Sequence, residues 1–199
     1  MPGFRREFST DVLRPGTALR VSRVGLFFSD LTGSTQLYSN VGDAVAFKLV
    51  QEHFDVVIGI IEKHRGTLVK TIGDAVMAVY ADEMDGLRGS LAILDEFHRF
   101  RQRAPTYQQT HIRLGLYAGA CYAVTANAVL DYFGQSVNIA ARLQAEARSG
   151  ELVTEAHFAE EAISAGVLPA ECVLERYEAA LKGVDHAIVV ARIAVPGKP

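Results

Sequence analysis

The chain has 199 residues, of which 49% are hydrophobic, enough for one domain with a sizeable core. Its 20 lysines and arginines against 23 aspartates and glutamates give a formal net charge of −3, so we expect neither a nucleic-acid partner nor binding to an acidic membrane surface. Its apolar runs are far shorter than the ~20 residues that a membrane-spanning helix needs.

Residues 1–20 are predicted to be a leader or the remnant of a connection to an upstream regulatory domain, because a Pro-Gly pair punctuates them before the first apolar run. VGLFFSD then indicates a buried strand that ends in the turn cluster DLTGST. Apolar residues at helical spacing continue to Ile61, and Gly66 closes this first helix. TLVKTI and AVMAVYA predict a β-hairpin around Gly73 and Asp74.

The second half of the chain continues the mixture of helices and strands. A second amphipathic helix ends at Arg101 and is stopped by Pro105. HIRLGLYAG and ACYAV alternate as strands do, FGQSVNIAARLQAEA indicates a third helix, and ELVT, CVLERYEAAL and AIVVARIAV are further strand candidates. This order predicts an α+β or α/β sandwich in which helices pack on one sheet.

Cysteine and histidine usage gives no sign of a metal or redox site. Cys121 and Cys172 lack the spacing of metal ligands and lie among apolar residues, so we expect both to be small buried side chains. The six histidines are scattered, and we expect them to be structural. Because no apolar segment follows the arginines of MPGFRREF, the start does not resemble a secretory signal. A cytoplasmic location is the expectation.

Polar residues cluster at three turns. In FFSDLTGST, Asp30 ends a strand and Gly33 follows among hydroxyl side chains. One carboxylate and a helix N-terminus can hold a polyphosphate with Mg²⁺, although the same residues could simply cap the next helix. Asp74 occupies the second turn, either as another carboxylate for Mg²⁺ or as an ordinary turn residue.

The third cluster is LDYFGQSVNIAARLQ. If a helix begins after its glycine, Asn138 and Arg142 lie four residues apart on one face, where both can donate hydrogen bonds to a phosphoryl group. Either residue could equally be structural, since arginine is common on solvated helix faces. Asp131, just before the helix, could be a helix cap or could bind the edge of a base.

Four blocks in order, FFSDLTGST, GTLVKTIGDAVMAVY, DYFGQSVNIAARL and LKGV, resemble the catalytic domain of class III nucleotidyl cyclases, the adenylate and guanylate cyclases. The resemblance places this domain at residues 21–196. It implies an α+β fold, a ferredoxin-like α/β sandwich with a central, mostly antiparallel sheet and flanking helices. It also implies a homodimer that binds substrate across its interface, so that Lys70 and Asp74 would serve different sites.

The resemblance assigns roles to individual residues. It implies two divalent cations, Mg²⁺ or Mn²⁺, held by Asp30, Asp74 and the backbone carbonyl of Leu31. The remaining assignments are Thr32, Gly33, Ser34 and Thr35 for the triphosphate, Lys70 and Asp131 for adenine, Asn138 and Arg142 for the transition state, and Lys182 for the terminal phosphates.

Lys70 and Asp131 match the adenylate pattern, so the resemblance implies conversion of ATP to 3′,5′-cyclic AMP and pyrophosphate. Two alternatives stay open. One is a guanylate cyclase acting on GTP, and the other is a catalytically silent module that dimerises or senses a nucleotide. An unrelated phosphate-binding fold would need a motif such as GxGxxG or GxxxxGK[ST], and neither occurs.

Overall fold

The computed structural model describes residues 18–126 and 129–195, with residues 34–37, 126 and 129 described through their backbone alone. Within these ranges, five α-helices pack on one eight-stranded sheet. The strands are β1 (Ala18–Thr32), β2 (Gly66–Ile72), β3 (Ala75–Tyr80), β4 (His111–Ala126), β5 (Val129–Phe133), β6 (Glu151–Glu155), β7 (Val173–Ala179) and β8 (Ile188–Ile193). The helices are α1 (Ser34–Val41), α2 (Asp43–Lys63), α3 (Glu83–Arg101), α4 (Gln135–Glu146) and α5 (Ala156–Ser164).

The sheet has the order β2-β3-β1-β4-β6-β8-β7, and β5 pairs with β4 outside this path. The pairs are antiparallel except that of β4 with β6, which is parallel. The apolar run VGLFFSD forms the part of β1 that lies between β3 and β4, and residues 24–29 are buried because helices cover both faces of the sheet. The predicted α+β fold with a central, mostly antiparallel sheet is therefore confirmed.

The helices divide unequally between the two faces of the sheet. Helices α2, α3 and α5 cover one face, where Phe27 and Ala78 belong to the largest apolar cluster. Helix α4 lies on the other face, where Ala140 packs with Phe28 and Met77. Neighbouring residues of a strand point to opposite faces, so Phe27 and Phe28 of β1 each contribute to a different core.

Several elements differ from the sequence expectations. HIRLGLYAG and ACYAV form one continuous strand, β4, because β1 pairs with it from His111 to Val124. Helix α1, strand β5 and helix α5 have no counterpart among the predicted elements. Residues 1–17 of the predicted leader lie outside the described residues, as does residue 196 at the predicted domain end, and residues 18–20 open β1.

Cys121 and Cys172 are both buried and free, as expected from their apolar surroundings. None of the helices in the described ranges combines the length and apolar character required to cross a bilayer.

Candidate active site

Asp30 and Asp74 lie at neighbouring strand ends. Because β1 and β3 are antiparallel and their pairing ends with Ser29 opposite Val76, Asp30 lies beside the turn that carries Asp74. Both carboxylates are also close enough to affect the pKa of one imidazole, that of His53 in α2. Burial lowers the pKa of His53, whereas the charges of Asp74 and Asp30 raise it. The structure therefore brings the two predicted metal carboxylates close to each other.

The donor set fits a divalent cation. Asp74 Oδ2 is buried and has no hydrogen-bond partner among the described residues, a state that a nearby positive charge would relieve. Leu31, whose carbonyl is the predicted third ligand, is buried in β1 opposite Ile112. In the described part of the chain, no three His, Cys, Asp or Glu side chains are grouped to hold a metal ion. Two carboxylates would leave other positions to phosphates and water, as is usual for Mg²⁺.

An arginine that the sequence analysis missed lies beside this site. Arg113 is directly opposite Asp30 in the pairing of β4 with β1, and its Nη2 donates a hydrogen bond to Asp30 Oδ2. A lone arginine in the apolar stretch HIRLGLYAG was the available signal. It could not be assigned because its partner is 83 residues away in the chain.

The segment Thr32 to Thr35 turns from β1 into α1. The hydroxyls of Thr32 and Ser149 lie 3.2 Å apart. Gly33 precedes α1 with a φ of 84°, and a Cβ there would lie 2.9 Å from a backbone carbonyl oxygen, so the position requires glycine. Ser34 and Thr35 are in the first helical turn, where backbone N–H groups lack helical partners. This backbone suits an anion.

Lys70 and Asp131 are in direct contact. Lys70 Nζ donates to Asp131 Oδ2 at 2.6 Å, with the two side chains 40% and 21% exposed, so a ligand can reach the pair. Asp131 lies in β5, and its Oδ1 accepts from the backbone N–H of Tyr132 at 2.8 Å. The helix-cap interpretation of Asp131 is wrong, because Gly134 precedes α4 and no side chain caps it. The exposed ring of Phe133 lies beneath Lys70, 6.0 Å from Nζ to the centroid.

Lys70 and Asp74 lie toward opposite faces of the sheet although they are only four residues apart in the chain. Lys70 pairs with Met77 across the hairpin, and paired residues share a face. Met77 packs in the cluster under α4. Asp74, in contrast, acts on His53 of α2, which packs on the other face. The hairpin therefore divides its two charges between two environments.

Asn138 and Arg142 lie one turn apart on α4, and both are exposed. Neither side chain has a polar partner within residues 18–126 and 129–195. The helix rests directly on β4, since a Cβ on Gly115 would lie 2.3 Å from the backbone nitrogen of Gln144. Close backbone contact therefore fixes where the amide and the guanidinium are presented.

Lys182 is exposed in the turn between β7 and β8, where Gly183 has a φ of 81°. This turn lies at the opposite end of the sheet from Asp30. Strand β8 begins at Ile188, beside the turn, and ends at Ile193. Across β6 and β4, Ile193 is level with the part of β1 that holds Asp30. The five residue steps from Ile188 to Ile193 span about 17 Å. Within one chain, Lys182 is therefore remote from the two aspartates.

Sequence comparisons cover the first three of the four blocks. The profile of the adenylate and guanylate cyclase catalytic domain matches residues 17–164. The uncharacterized protein Rv2212 of Mycobacterium tuberculosis is 31% identical over 165 residues, which cover 83% of this chain and 39% of that protein. The receptor-type guanylate cyclase gcy-13 of Caenorhabditis elegans is 27% identical over 138 residues, 64% of this chain and 13% of that protein. The chain thus spans about two fifths or less of these relatives.

Solved structures share the fold. The adenylyl cyclase CyaB from P. aeruginosa superposes with a TM-score of 0.74 at 22% identity, covering 90% of this chain and 96% of that one. The guanylyl cyclase Cya2 superposes with a TM-score of 0.76 at 16% identity, covering 92% and 96%. Both base specificities therefore occur among proteins of this fold.

Proposed function

Because the chain belongs to the adenylate and guanylate cyclase catalytic domain family, we propose that it is an adenylate cyclase. It would convert ATP to 3′,5′-cyclic AMP and pyrophosphate with the aid of divalent cations, in a site shared by two copies of the chain. The choice of adenine rests on one observation, the contact of Lys70 Nζ with Asp131 Oδ2 at 2.6 Å.

This pair matches the edge of adenine. Adenine has an acceptor at N1 and a donor at N6, so an ammonium and a carboxylate side by side can satisfy both. Guanine has a donor at N1 and an acceptor at O6, which would oppose Lys70 with an N–H and Asp131 with an oxygen. Each unmatched buried polar group costs about 1–3 kcal/mol, so two mismatches favour ATP by roughly 10²-fold or more.

The reaction joins the ribose 3′-oxygen to the α-phosphorus, releases the 3′ proton and breaks the bond to pyrophosphate. Divalent cations held by Asp30, Asp74 and the carbonyl of Leu31 would supply Lewis-acid activation of the hydroxyl and neutralise the triphosphate. On α4, Arg142 would stabilise the charge that develops on the α-phosphoryl group, and Asn138 would orient the ribose.

The triphosphate needs further contacts along its length. The backbone of residues 32–35 would bind it at the start of α1, where Gly33 allows the chain to turn. Lys182 would bind the terminal phosphates as an exposed cation. Lys182 lies at the far end of the sheet from Asp30. Lys182 of one chain and Asp30 of another are therefore better placed to meet at one site than the two residues of a single chain.

The test is a comparison of cyclic AMP and cyclic GMP formation from equal ATP and GTP, with Mg²⁺ or Mn²⁺, over a range of protein concentrations. We expect ATP to be favoured roughly 10²-fold in kcat/KM, and activity per chain to rise with concentration as dimers form. Comparable rates with the two nucleotides would show that Lys70 and Asp131 do not select adenine.

A matched pair of variants separates base selection from catalysis. Lys70→Glu combined with Asp131→Cys should erode the preference for ATP, whereas Arg142→Ala should lower both rates and leave their ratio unchanged. The alternative of a silent module is supported if neither product forms with either metal at any protein concentration. Each position with an assigned role holds the residue that the role requires, and this argues against the silent module.

A further inference from the structure

The ion pair between Arg113 and Asp30 is placed within the proposed metal site. Arg113 Nη2 bonds to Asp30 Oδ2, and the two side chains are only 31% and 23% exposed. The other strand neighbour of Arg113 is Glu151 of β6. That carboxylate already has its own partners, Arg192 Nε at 3.0 Å and the backbone N–H of Arg148 at 3.0 Å. Asp30 is therefore the carboxylate that Arg113 neutralises.

A guanidinium on Asp30 opposes coordination of a divalent cation by the same carboxylate, because the two positive charges repel and compete for its oxygen lone pairs. We propose that Arg113 is the internal counter-ion of the metal site, which occupies Asp30 until a divalent cation displaces it. The inference rests on the proposed function, in which Asp30 and Asp74 hold the cation.

The two aspartates differ in a way that supports this role. Asp74 Oδ2 is buried with no hydrogen-bond partner in the described part of the chain, whereas Asp30 Oδ2 accepts a hydrogen bond from Arg113. A cation approaching the site would meet one available carboxylate and one that is already neutralised. The price of binding is thus the separation of a partly buried ion pair, and affinity for the free cation is reduced accordingly.

The displaced guanidinium has an alternative acceptor in the same place. Arg113 Nε is buried and unpaired among the described residues, so the pose on Asp30 leaves a donor unused. Arginine presents its donors as a planar fork that suits phosphate oxygens. A triphosphate bound at residues 32–35 would therefore draw Arg113 from Asp30 and favour cation binding. Cation and nucleotide would then bind cooperatively.

The test measures Mn²⁺ binding without nucleotide, by the electron paramagnetic resonance signal of the free ion titrated with protein. We expect Arg113→Met to bind Mn²⁺ about tenfold more tightly than the unmodified chain. The more polar Arg113→Gln should do the same, and it replaces the first variant if that one does not fold. Arg88→Met is the matched control, because Arg88 is exposed and its partner Asp85 keeps Arg65. It should leave the affinity unchanged.

The outcomes separate this inference from the proposed function. If Asp30→Asn and Asp74→Asn weaken Mn²⁺ binding while Arg113→Met and Arg113→Gln leave it unchanged or weaker, the metal site stands and the counter-ion role is wrong. If neither aspartate variant changes Mn²⁺ binding, the proposed metal site itself is wrong. Tightening by Arg88→Met to the same extent would reduce the effect to net charge and would also overturn the role of Arg113.

Discussion

At the scale of single residues, the two aspartates of the candidate site have unequal surroundings. Asp30 is neutralised by Arg113, whereas Asp74 has a buried oxygen without a partner among the described residues. An unpaired buried carboxylate oxygen destabilises the folded chain. Its presence at the end of a hairpin is therefore better explained by a ligand than by folding.

Asp74→Ala is expected to lower cyclase activity by more than about 10²-fold while leaving the fold intact, because a carboxylate ligand is lost but no packing is. Its melting temperature without metal should match or exceed that of the unmodified chain. Stabilisation by added Mn²⁺, measured by calorimetry, should be lost. Asp55→Ala, on the exposed side of α2, is the control and should change neither quantity. Wild-type turnover in Asp74→Ala would contradict the metal assignment.

At the scale of secondary-structure elements, the contact between α4 and β4 determines where Asn138 and Arg142 are presented. A Cβ on Gly115 would lie 2.3 Å from Gln144 N and 2.6 Å from the carbonyl oxygen of Ala140. Both are backbone atoms of α4, so no rotamer change can relieve the overlap. The absence of a side chain at Gly115 therefore allows α4 to lie directly on β4.

Gly115→Ala is expected to destabilise the chain by about 1–3 kcal/mol, because α4 must move away from β4. That corresponds to a fall in Tm of roughly 2–4 °C per kcal/mol. Gly59→Ala is the matched control: Gly59 is exposed within α2, and a Cβ there meets nothing within 4 Å. It should stabilise by about 0.5–1 kcal/mol. Equal effects of the two changes in thermal melts would contradict the close contact.

The elements that the sequence predicted have a clear apolar pattern. VGLFFSD and AVMAVYA are nearly continuous apolar runs, TLVKTI is rich in apolar and β-branched residues, and α2 and α3 repeat apolar residues at helical spacing. Strand β5 was missed because VLDYF is short and includes Asp131, which was considered as a helix cap. Helix α5 was missed although its buried residues Ala156, Ala159 and Ala162 recur every three positions.

The candidate site could be predicted only in part for a related reason. Motif resemblance pointed to Asp30 and Asp74, but nothing local indicates that Arg113 contacts Asp30. That contact depends on the register of two strands whose pairing is set by the whole sheet. The family resemblance implied that Lys70 and Asp131 lie together, since it assigns both to adenine. No local pattern shows how the β4–β5 hairpin meets β2 to bring them into contact.

At the scale of the whole molecule, the assigned residues lie in two groups. Asp30 and Asp74 are at one end of the sheet, whereas the turn with Lys182 is at the other. Lys70 lies on the face of the sheet that α4 covers, and His53 is on the opposite face. In a two-fold dimer each copy can contribute one group to each of two equivalent sites.

Mixing the Asp74→Ala and Arg142→Ala chains should restore activity that neither has alone. Random exchange makes half of the dimers mixed, and each of these has one intact site of two, so about a quarter of the wild-type activity per chain is expected. Mass spectrometry of isotopically labelled chains would show that exchange occurs. Exchange without recovered turnover would contradict a site shared between chains.

The hairpin that separates Lys70 from Asp74 has a consequence for communication in such a dimer. Only the tight turn at Gly73, with a φ of 64°, lies between the end of β2 and Asp74. A shift of that turn when one catalytic centre binds its substrate would be transmitted along β2 to Lys70, which in the proposed dimer would belong to the other centre. The two centres would then be allosterically linked, and saturation with ATP would depart from a simple hyperbola, with a Hill coefficient different from one.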